Sequence, residues 1–183
     1  TVDQMKQFHR EFYGASNGEL AVVGDFDAEA VKALATELFG NWKSPSAYKR
    51  VPDPFVATKP AVLKFDAPDK ANAFFIGRQA LPMNDSSPDY PAFVVADYVL
   101  GDSPTSRLFQ RLRQKDGLSY GAGTSFRPAA IDENSTLSLY AIFAPENLEK
   151  VRTGFAEEIA AALGKGFTED EVKLAKEGLL EER

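Results

Sequence analysis

Apolar residues recur along this chain in two patterns, and the two patterns separate predicted helices from predicted strands. Amphipathic spacing of three and four residues, together with helix-capping residues, predicts six helices. They cover residues 1–13, 27–40, 87–100, 105–115, 145–164 and 168–183. Short apolar runs bounded by turn residues predict five strands. They cover residues 19–25, 61–66, 72–81, 118–127 and 135–143.

The order of these elements indicates a fold class. Helices interleaved with strand pairs are typical of an α+β two-layer sandwich, in which helices pack on one face of a mostly antiparallel, mixed sheet. Residues 43–60 hold four of the 11 prolines and show no clear periodicity, so we expect an exposed crossover there. Thr168 and Glu171 form a capping-box pattern that predicts the start of the last helix.

Composition narrows the function classes. The 183 residues carry 21 Lys and Arg against 27 Asp and Glu, a net charge of −6. An acidic chain without a long basic run is a poor candidate for nucleic-acid binding, where phosphate neutralisation supplies most of the affinity. No apolar run approaches the ~18 residues of a spanning helix, so we expect no membrane insertion.

The supply of metal ligands is small. The chain has one histidine and no cysteine, which excludes a thiolate site and a histidine-rich zinc site within it. Asp25 and Asp27 flank Phe26 and could hold a divalent cation, but a strand end followed by a helix cap is the preferred interpretation. His9 lies on a polar face of the first helix, and we expect it to be exposed.

The segment TSRLFQRLRQKDGLSYG, residues 105–121, joins a short amphipathic helix to a strand through Gly117. Gly117 is expected to end the helix in a left-handed conformation. Arg113 and Tyr120 together could bind the carbonyl oxygens of an extended peptide, because both side chains are hydrogen-bond donors. The alternatives are a cation favoured by the helix dipole for Arg113, and a core or sheet-face tyrosine beside Leu118 and Ala122 for Tyr120.

Neighbouring residues of this segment have structural interpretations. Arg107 and Arg111 are expected to be solvated or to pair with a partner on the sheet. Ser119 has no identifiable base and is not a candidate nucleophile. Gly121 and Gly123 could keep a strand face bare for an approaching peptide backbone, and a β-bulge is an equally good alternative.

Two motifs in register resemble a known family. The opening QFHREFYGASNGELAVVGDFDAEAVKALATELFGNW resembles the start of the C-terminal, non-zinc half-domain of insulinase-type (M16) zinc metallopeptidases. The later SRLFQRLRQKDGLSYGAG resembles the Arg-Leu-Phe … Leu-Arg … Gly-Leu … Tyr signature of the same family. The resemblance covers nearly all 183 residues, and it implies the M16 peptidase (LuxS-like metallohydrolase) fold.

The resemblance also implies an activity and partners. Family members are paired homologous halves around a chamber. The zinc motif, His-x-x-Glu-His, lies in an N-terminal half, and a later half supplies an arginine and a tyrosine that contact substrate, here Arg113 and Tyr120. Residues 1–183 are then expected to be one C-terminal-type domain excised from a longer chain. No cofactor is expected within it, and zinc is expected in the homologous N-terminal half, on the same chain or on a partner subunit.

Three functional hypotheses follow from the sequence. The leading one is the substrate-binding, non-metal half of a zinc metalloendopeptidase, with a peptide as substrate. The second is a non-catalytic scaffolding subunit of the same fold, and the third is an unrelated α+β binding module. A half built to pack against homologous halves is also expected to expose an apolar face and to form a homodimer when isolated.

Overall fold

The computed structural model describes residues 1–182, which divide into two units, residues 1–51 and residues 52–182. The first unit holds α1 (Val2–Phe12) and α2 (Ala28–Phe39), both predicted from the sequence. Asp27 caps α2, because its Oδ1 accepts the amide hydrogens of the second and third helical residues at 2.9 Å each. The helix-cap interpretation of Asp27 is therefore confirmed.

The second unit holds a sheet and four helices. Its elements in chain order are β1 (Ala73–Leu81), α3 (Tyr90–Leu100), α4 (Arg107–Phe109), β2 (Ser119–Arg127), β3 (Ser135–Phe143), α5 (Leu148–Lys165) and α6 (Glu169–Glu181). A π-helical turn, Gln110–Lys115, continues α4. The predicted helix over residues 105–115 is thus a single short α-helical turn that widens into a π-helix.

The sheet places β3 between β1 and β2, and both pairings are antiparallel. Side chains alternate between its two faces. On one face Ala141 and Phe143 of β3 are buried. On the other face Phe74, Ile76 and Tyr140 are exposed to different degrees, 61%, 51% and 37%. One face of the sheet is therefore covered by helices and the other carries exposed apolar side chains.

The core lies between the covered face and the helices. One apolar cluster joins α4, the π-helical turn and α5 to the sheet: Leu108, Leu112, Ala122, Ala141, Phe143, Val151 and Phe155. A second cluster joins α3 to α6 through Tyr98, Val99 and Ala175. The α+β architecture predicted from the sequence, with helices on an antiparallel sheet, is confirmed.

Two predicted strands are wrong. Residues 19–25 and 61–66 form neither strand nor helix, and their apolar side chains face outward, with Val23 99% and Val62 97% exposed. The physical reason is that a strand exists only through hydrogen bonds to a neighbour. No neighbour pairs with either segment among residues 1–182. The crossover over residues 43–60 is irregular and mostly exposed, as predicted.

Local signals located the helix ends well. The capping box at the start of α6 is formed, since Thr168 Oγ1 accepts from the Glu171 amide and the Glu171 carboxylate accepts from the Thr168 amide at 2.8 Å. Gly117 has a φ of +61°, the left-handed conformation predicted for it. None of the helices among residues 1–182 is long and apolar enough to cross a membrane.

Candidate functional site

The first strand of the candidate site begins with a β-bulge. Ser119 is opposite Phe143 and Gly121 is opposite Ile142, so Tyr120 has no opposing residue. The buried Ser119 hydroxyl lies 2.8 Å from the Gly121 carbonyl oxygen and 2.7 Å from that of Ile142. A bulge bends its strand and re-aims a side chain. Here the Ser119 hydroxyl stabilises the bulge, and Tyr120 is the residue whose side chain changes direction.

Tyr120 consequently leaves the core. Its side chain is 75% exposed, whereas Ala122, two positions along the strand, is 2% exposed. The expectation that Tyr120 shares a face with Leu118 and Ala122 is wrong, because the bulge breaks the alternation of side chains. Its phenol hydroxyl has no hydrogen-bond partner within the described part of the chain. A core role for Tyr120 is excluded by this exposure.

Arg113 reaches Tyr120 from the π-helical turn. Its Nη1 donates to the Tyr120 carbonyl oxygen at 2.5 Å, which ties the turn to the bulge. The guanidinium carbon lies 5.3 Å from the centre of the Tyr120 ring and 5.2 Å from that of Phe109. Both distances are within the range of cation–π contacts. Arg113 is thus held between two rings, with one hydrogen bond made.

The remaining donors of Arg113 are unused. A guanidinium has five N–H donors, and Nη1 to Tyr120 is the one hydrogen bond that Arg113 makes among residues 1–182. The side chain is also exposed. The structure therefore brings together the two residues singled out from the sequence, and it leaves a planar cation and a phenol hydroxyl side by side with free donors.

The two other arginines of this segment bind carboxylates outside the sheet. Arg107 donates from Nε and Nη2 to both carboxylate oxygens of Glu171, at 2.6 and 2.7 Å, and from Nη2 to the Gly166 carbonyl. Arg111 pairs with Asp116 and Glu157. The prediction of a structural role is confirmed for both, and the suggested alternatives of solvated charge or a partner on the sheet are wrong.

The ion pair between Arg107 and Glu171 changes the pKa of the Glu171 carboxyl. The hydrogen bond from Arg107, aided by the bonds from Thr168, lowers the pKa of Glu171 to about 2. Both side chains are mostly buried, and Arg107 also lies over the Phe167 ring at 4.9 Å. This ion pair therefore joins α4 to the start of α6 as part of the fold.

The two glycines of β2 have different surroundings. A Cβ at Gly121 would meet no atom within 4 Å, so the strand beside Tyr120 is bare. A Cβ at Gly123 would lie 2.5 Å from the Gly101 carbonyl oxygen, so close packing requires a glycine there. The bulge alternative is confirmed next to Gly121, and Gly123 is explained by packing against the end of α3.

Comparison with known proteins places the chain in a family. The family described as "Peptidase M16 inactive domain" matches residues 1–179. The chain belongs to this family. An unrelated α+β binding module, the third hypothesis from the sequence, is thereby rejected.

Relatives of this M16 inactive domain carry the name of a protease. An uncharacterised zinc protease of Mycobacterium leprae is 28% identical over 182 residues, which are 98% of this chain and 40% of the relative. One of Rickettsia felis is 25% identical over 176 residues, which are 96% of this chain and 41% of the relative. The chain thus spans about two-fifths of the length of these relatives.

Solved structures share its fold. The peptidase M16 inactive domain from Pseudomonas fluorescens has a TM-score of 0.72 at 23% identity, over 98% of this chain and 43% of that one. A protease from Helicobacter pylori has a TM-score of 0.74 at 18% identity, over 100% of this chain and 44% of that one. At these identities the likeness shows the fold alone.

Residues 1–182 of the M16 inactive domain offer few ligands for a metal ion. Among residues 1–182 no group of three His, Cys, Asp or Glu side chains could hold a metal ion. His9 is exposed on α1, as predicted, and its ring stacks on Tyr13 with centroids 4.9 Å apart. The described residues therefore do not fit a zinc site, and they take no part in a step at zinc.

Asp97 of the M16 inactive domain was not singled out from the sequence. It is buried on α3, and its Oδ2 accepts the backbone amide of Phe126 on β2 at 2.7 Å, while Oδ1 has no partner among the described residues. Burial raises the pKa of this carboxyl. A polar residue in an otherwise apolar helix was the signal available, and the bond it makes closes part of the outer edge of β2.

Proposed function

We propose that this M16 inactive domain is the substrate-binding, non-metal half of a zinc-dependent endopeptidase. The parent enzyme would hydrolyse peptides in a chamber formed with a homologous N-terminal half, on the same chain or on a partner subunit. Residues 1–183 would then be a single domain of a longer protein. The names of the relatives and the span of two-fifths of their length support this proposal.

The observation that carries the proposal is the pairing of Arg113 and Tyr120. Tyr120 is lifted out of the sheet by a bulge, and Arg113 is held against it between two rings. A phenol hydroxyl and a guanidinium with free N–H groups are donors suited to peptide carbonyl oxygens. The bare strand at Gly121 leaves room for a peptide backbone beside them.

The chemistry assigned to this half is binding and charge stabilisation. Zinc, when bound in the other half, would supply an activated water and polarise the scissile carbonyl. Arg113 and Tyr120 would hold the substrate in register by donating to its carbonyl oxygens. Where one of these oxygens belongs to the scissile bond, the same donors would stabilise the oxyanion that develops on it.

The experiment uses the full-length parent protein and a peptide substrate. Arg113→Ala and Tyr120→Phe should lower kcat/KM by up to about 10²–10³-fold if the donors act in the transition state. If they act equally on bound substrate, KM should rise at constant kcat. Tyr48→Phe is the matched control, because Tyr48 is 69% exposed and its hydroxyl makes no hydrogen bond within residues 1–182. It should leave both constants unchanged.

Three results would oppose the proposal. Wild-type activity in Arg113→Ala and Tyr120→Phe would remove both residues from substrate binding. Unfolding of both variants would assign them to the fold. A parent protein that binds no zinc and cleaves no peptide would instead support the scaffolding subunit, the second hypothesis from the sequence.

The uncovered face of the sheet is a candidate surface for association with another half-domain. Phe74, Ile76 and Tyr140 expose apolar surface on the side without helices, and contiguous exposed apolar surface is typical of an interface. We propose that the isolated chain associates through such a surface into a homodimer that mimics the pairing of halves. Light scattering should give about twice the monomer mass, and a strict monomer at high concentration would contradict this.

A further inference from the structure

Arg111 connects the π-helical turn to α5 in the second unit. Its Nε donates to Asp116 Oδ2 at 2.5 Å, at the end of the π-helical turn. Its Nη2 donates to Glu157 Oε2 on α5 at 2.8 Å, and its Nη1 lies 3.8 Å from Glu158 Oε1. One guanidinium therefore holds the end of the turn and fastens the turn to α5.

The turn that Arg111 holds is an unusual one. Its hydrogen bonds span more residues than those of an α-helix: the Asp116 amide donates to the Arg111 carbonyl at 3.0 Å, and the Leu118 amide donates to that of Leu112 at 2.9 Å. Such wide turns are rare in proteins and are frequent at functional sites. A wide turn gains from side chains that hold its ends in place.

Arg113 depends on this geometry. It lies on the same turn two residues beyond Arg111, and its Nη1 must reach the Tyr120 carbonyl on the far side of Gly117. A change in the width of the turn would rotate Arg113 about the helix axis and move its guanidinium away from the two rings. The register of the turn therefore decides where the free donors of Arg113 point.

We propose that Arg111 is a positioning residue for the Arg113–Tyr120 pair. Through Asp116 and Glu157 it keeps the π-helical turn in the register that places Arg113 against Tyr120. The inference rests on the proposed function, because it assigns Arg111 a part in presenting the substrate-binding donors. Lysine should replace Arg111 incompletely, since one ammonium group cannot reproduce a planar fork directed at separate carboxylates.

The test is a double-mutant cycle in the full-length protein with a peptide substrate. Arg111→Gln should lower kcat/KM per folded molecule by about 10–100-fold, because small misplacement of a positioning group costs this much. In the Arg113→Ala background, Arg111→Gln should have no further effect, since a residue that acts through Arg113 has nothing left to position. Arg111→Lys should recover part of the loss.

A matched control separates position from charge. Arg152→Gln removes another guanidinium from an ion pair, with Glu149 at 3.2 Å, on the exposed surface of α5. It should leave kcat/KM unchanged. Loss of activity in Arg111→Gln that adds in full to that of Arg113→Ala would overturn the inference, because Arg111 would then act independently.

A second readout is independent of activity. A fluorinated tyrosine at position 120 in the full-length protein reports the surroundings of its ring by ¹⁹F NMR. Arg113→Ala should move this signal, and Arg111→Gln should move it in the same direction, whereas Arg152→Gln should not. If Arg113→Ala leaves activity unchanged, the proposed function fails and this signal still tests the positioning role. A signal that Arg113→Ala moves and Arg111→Gln leaves unmoved would overturn the inference.

Discussion

Arg107 and Arg113 lie six residues apart on one helical segment, and the fold uses them differently. Arg107 is mostly buried and donates hydrogen bonds to the carboxylate of Glu171 and the carbonyl of Gly166. Arg113 is exposed, makes one hydrogen bond to a backbone carbonyl and rests between two rings. An arginine thus stabilises the fold at position 107, whereas at position 113 it is exposed and keeps free N–H donors.

The comparison shows which arginine is available for binding. A donor whose hydrogen bonds are already satisfied inside the protein gains little from a ligand. A guanidinium that is oriented by ring contacts and keeps most donors free loses less conformational entropy when it binds. Sequence position alone does not distinguish the two cases.

Removing Arg107 should have the largest effect on the fold. Arg107→Ala removes the cation that pairs with the Glu171 carboxylate, and loss of hydrogen bonds to a charged group costs about 1.5–3 kcal/mol. Urea denaturation of the 183-residue chain should show a lower midpoint with an unchanged slope. A stability equal to that of the wild type would remove the structural role from Arg107.

Replacing Arg113 by lysine should have a smaller effect, confined to activity. Arg113→Lys keeps the charge, but an ammonium lacks the planar fork that bonds Tyr120 and still offers donors to a substrate. In the full-length protein kcat/KM should fall about tenfold or more, while the chain's urea midpoint stays near that of the wild type. Full activity in the lysine variant would show that charge alone suffices.

Because the pKa of Glu171 is lowered, the stability contributed by the Arg107–Glu171 pair should depend on pH. A carboxyl whose folded pKa is lowered contributes stability above its unfolded pKa and loses it as the pH falls through the folded value. For Glu171 the loss should run from about pH 4.5 down to about pH 2. Glu171→Gln should be less stable at neutral pH and should lose less stability over this window. Parallel stability–pH curves for the two proteins would contradict the assignment.

The smallest effect is expected at the bulge. Ser119→Ala removes a buried hydroxyl that lies against the Gly121 and Ile142 carbonyls, which should cost about 0.5–1.5 kcal/mol of unfolding free energy. Because the bulge carries Tyr120, activity of the full-length protein should fall as well. A variant with reduced stability and unaltered activity would show that Tyr120 keeps its position without Ser119.

Local signals in the sequence predicted much of the fold. The capping box of Thr168 and Glu171 and the left-handed Gly117 depend on residues close in the chain, and both are present. The pattern of residues 61–66 also predicts a strand. They fail as one because pairing depends on a distant partner, which the pattern of one segment does not contain.

The residues of the candidate site could be predicted from the sequence, but the way they come together could not. Arg113 and Tyr120 were identified through resemblance to a family. Their meeting depends on a bulge at Tyr120 and on a π-helical turn, both of which arise from the register of β2 against β3 and from packing on α5. The hydrogen bond that the Phe126 amide donates to Asp97 is also tertiary, and the sequence of α3 marks Asp97 as unusual without identifying its partner.

Activity and stability of Arg113→Ala and Arg107→Ala, measured side by side in the full-length protein at a temperature where both are folded, separate substrate binding from folding. Arg113→Ala should lower kcat/KM for a peptide by up to about 10²–10³-fold at nearly unchanged stability. Arg107→Ala should lose stability and keep its activity per folded molecule. Equal activities in the two variants, or loss of activity in Arg107→Ala alone, would contradict the assignment of substrate binding to Arg113.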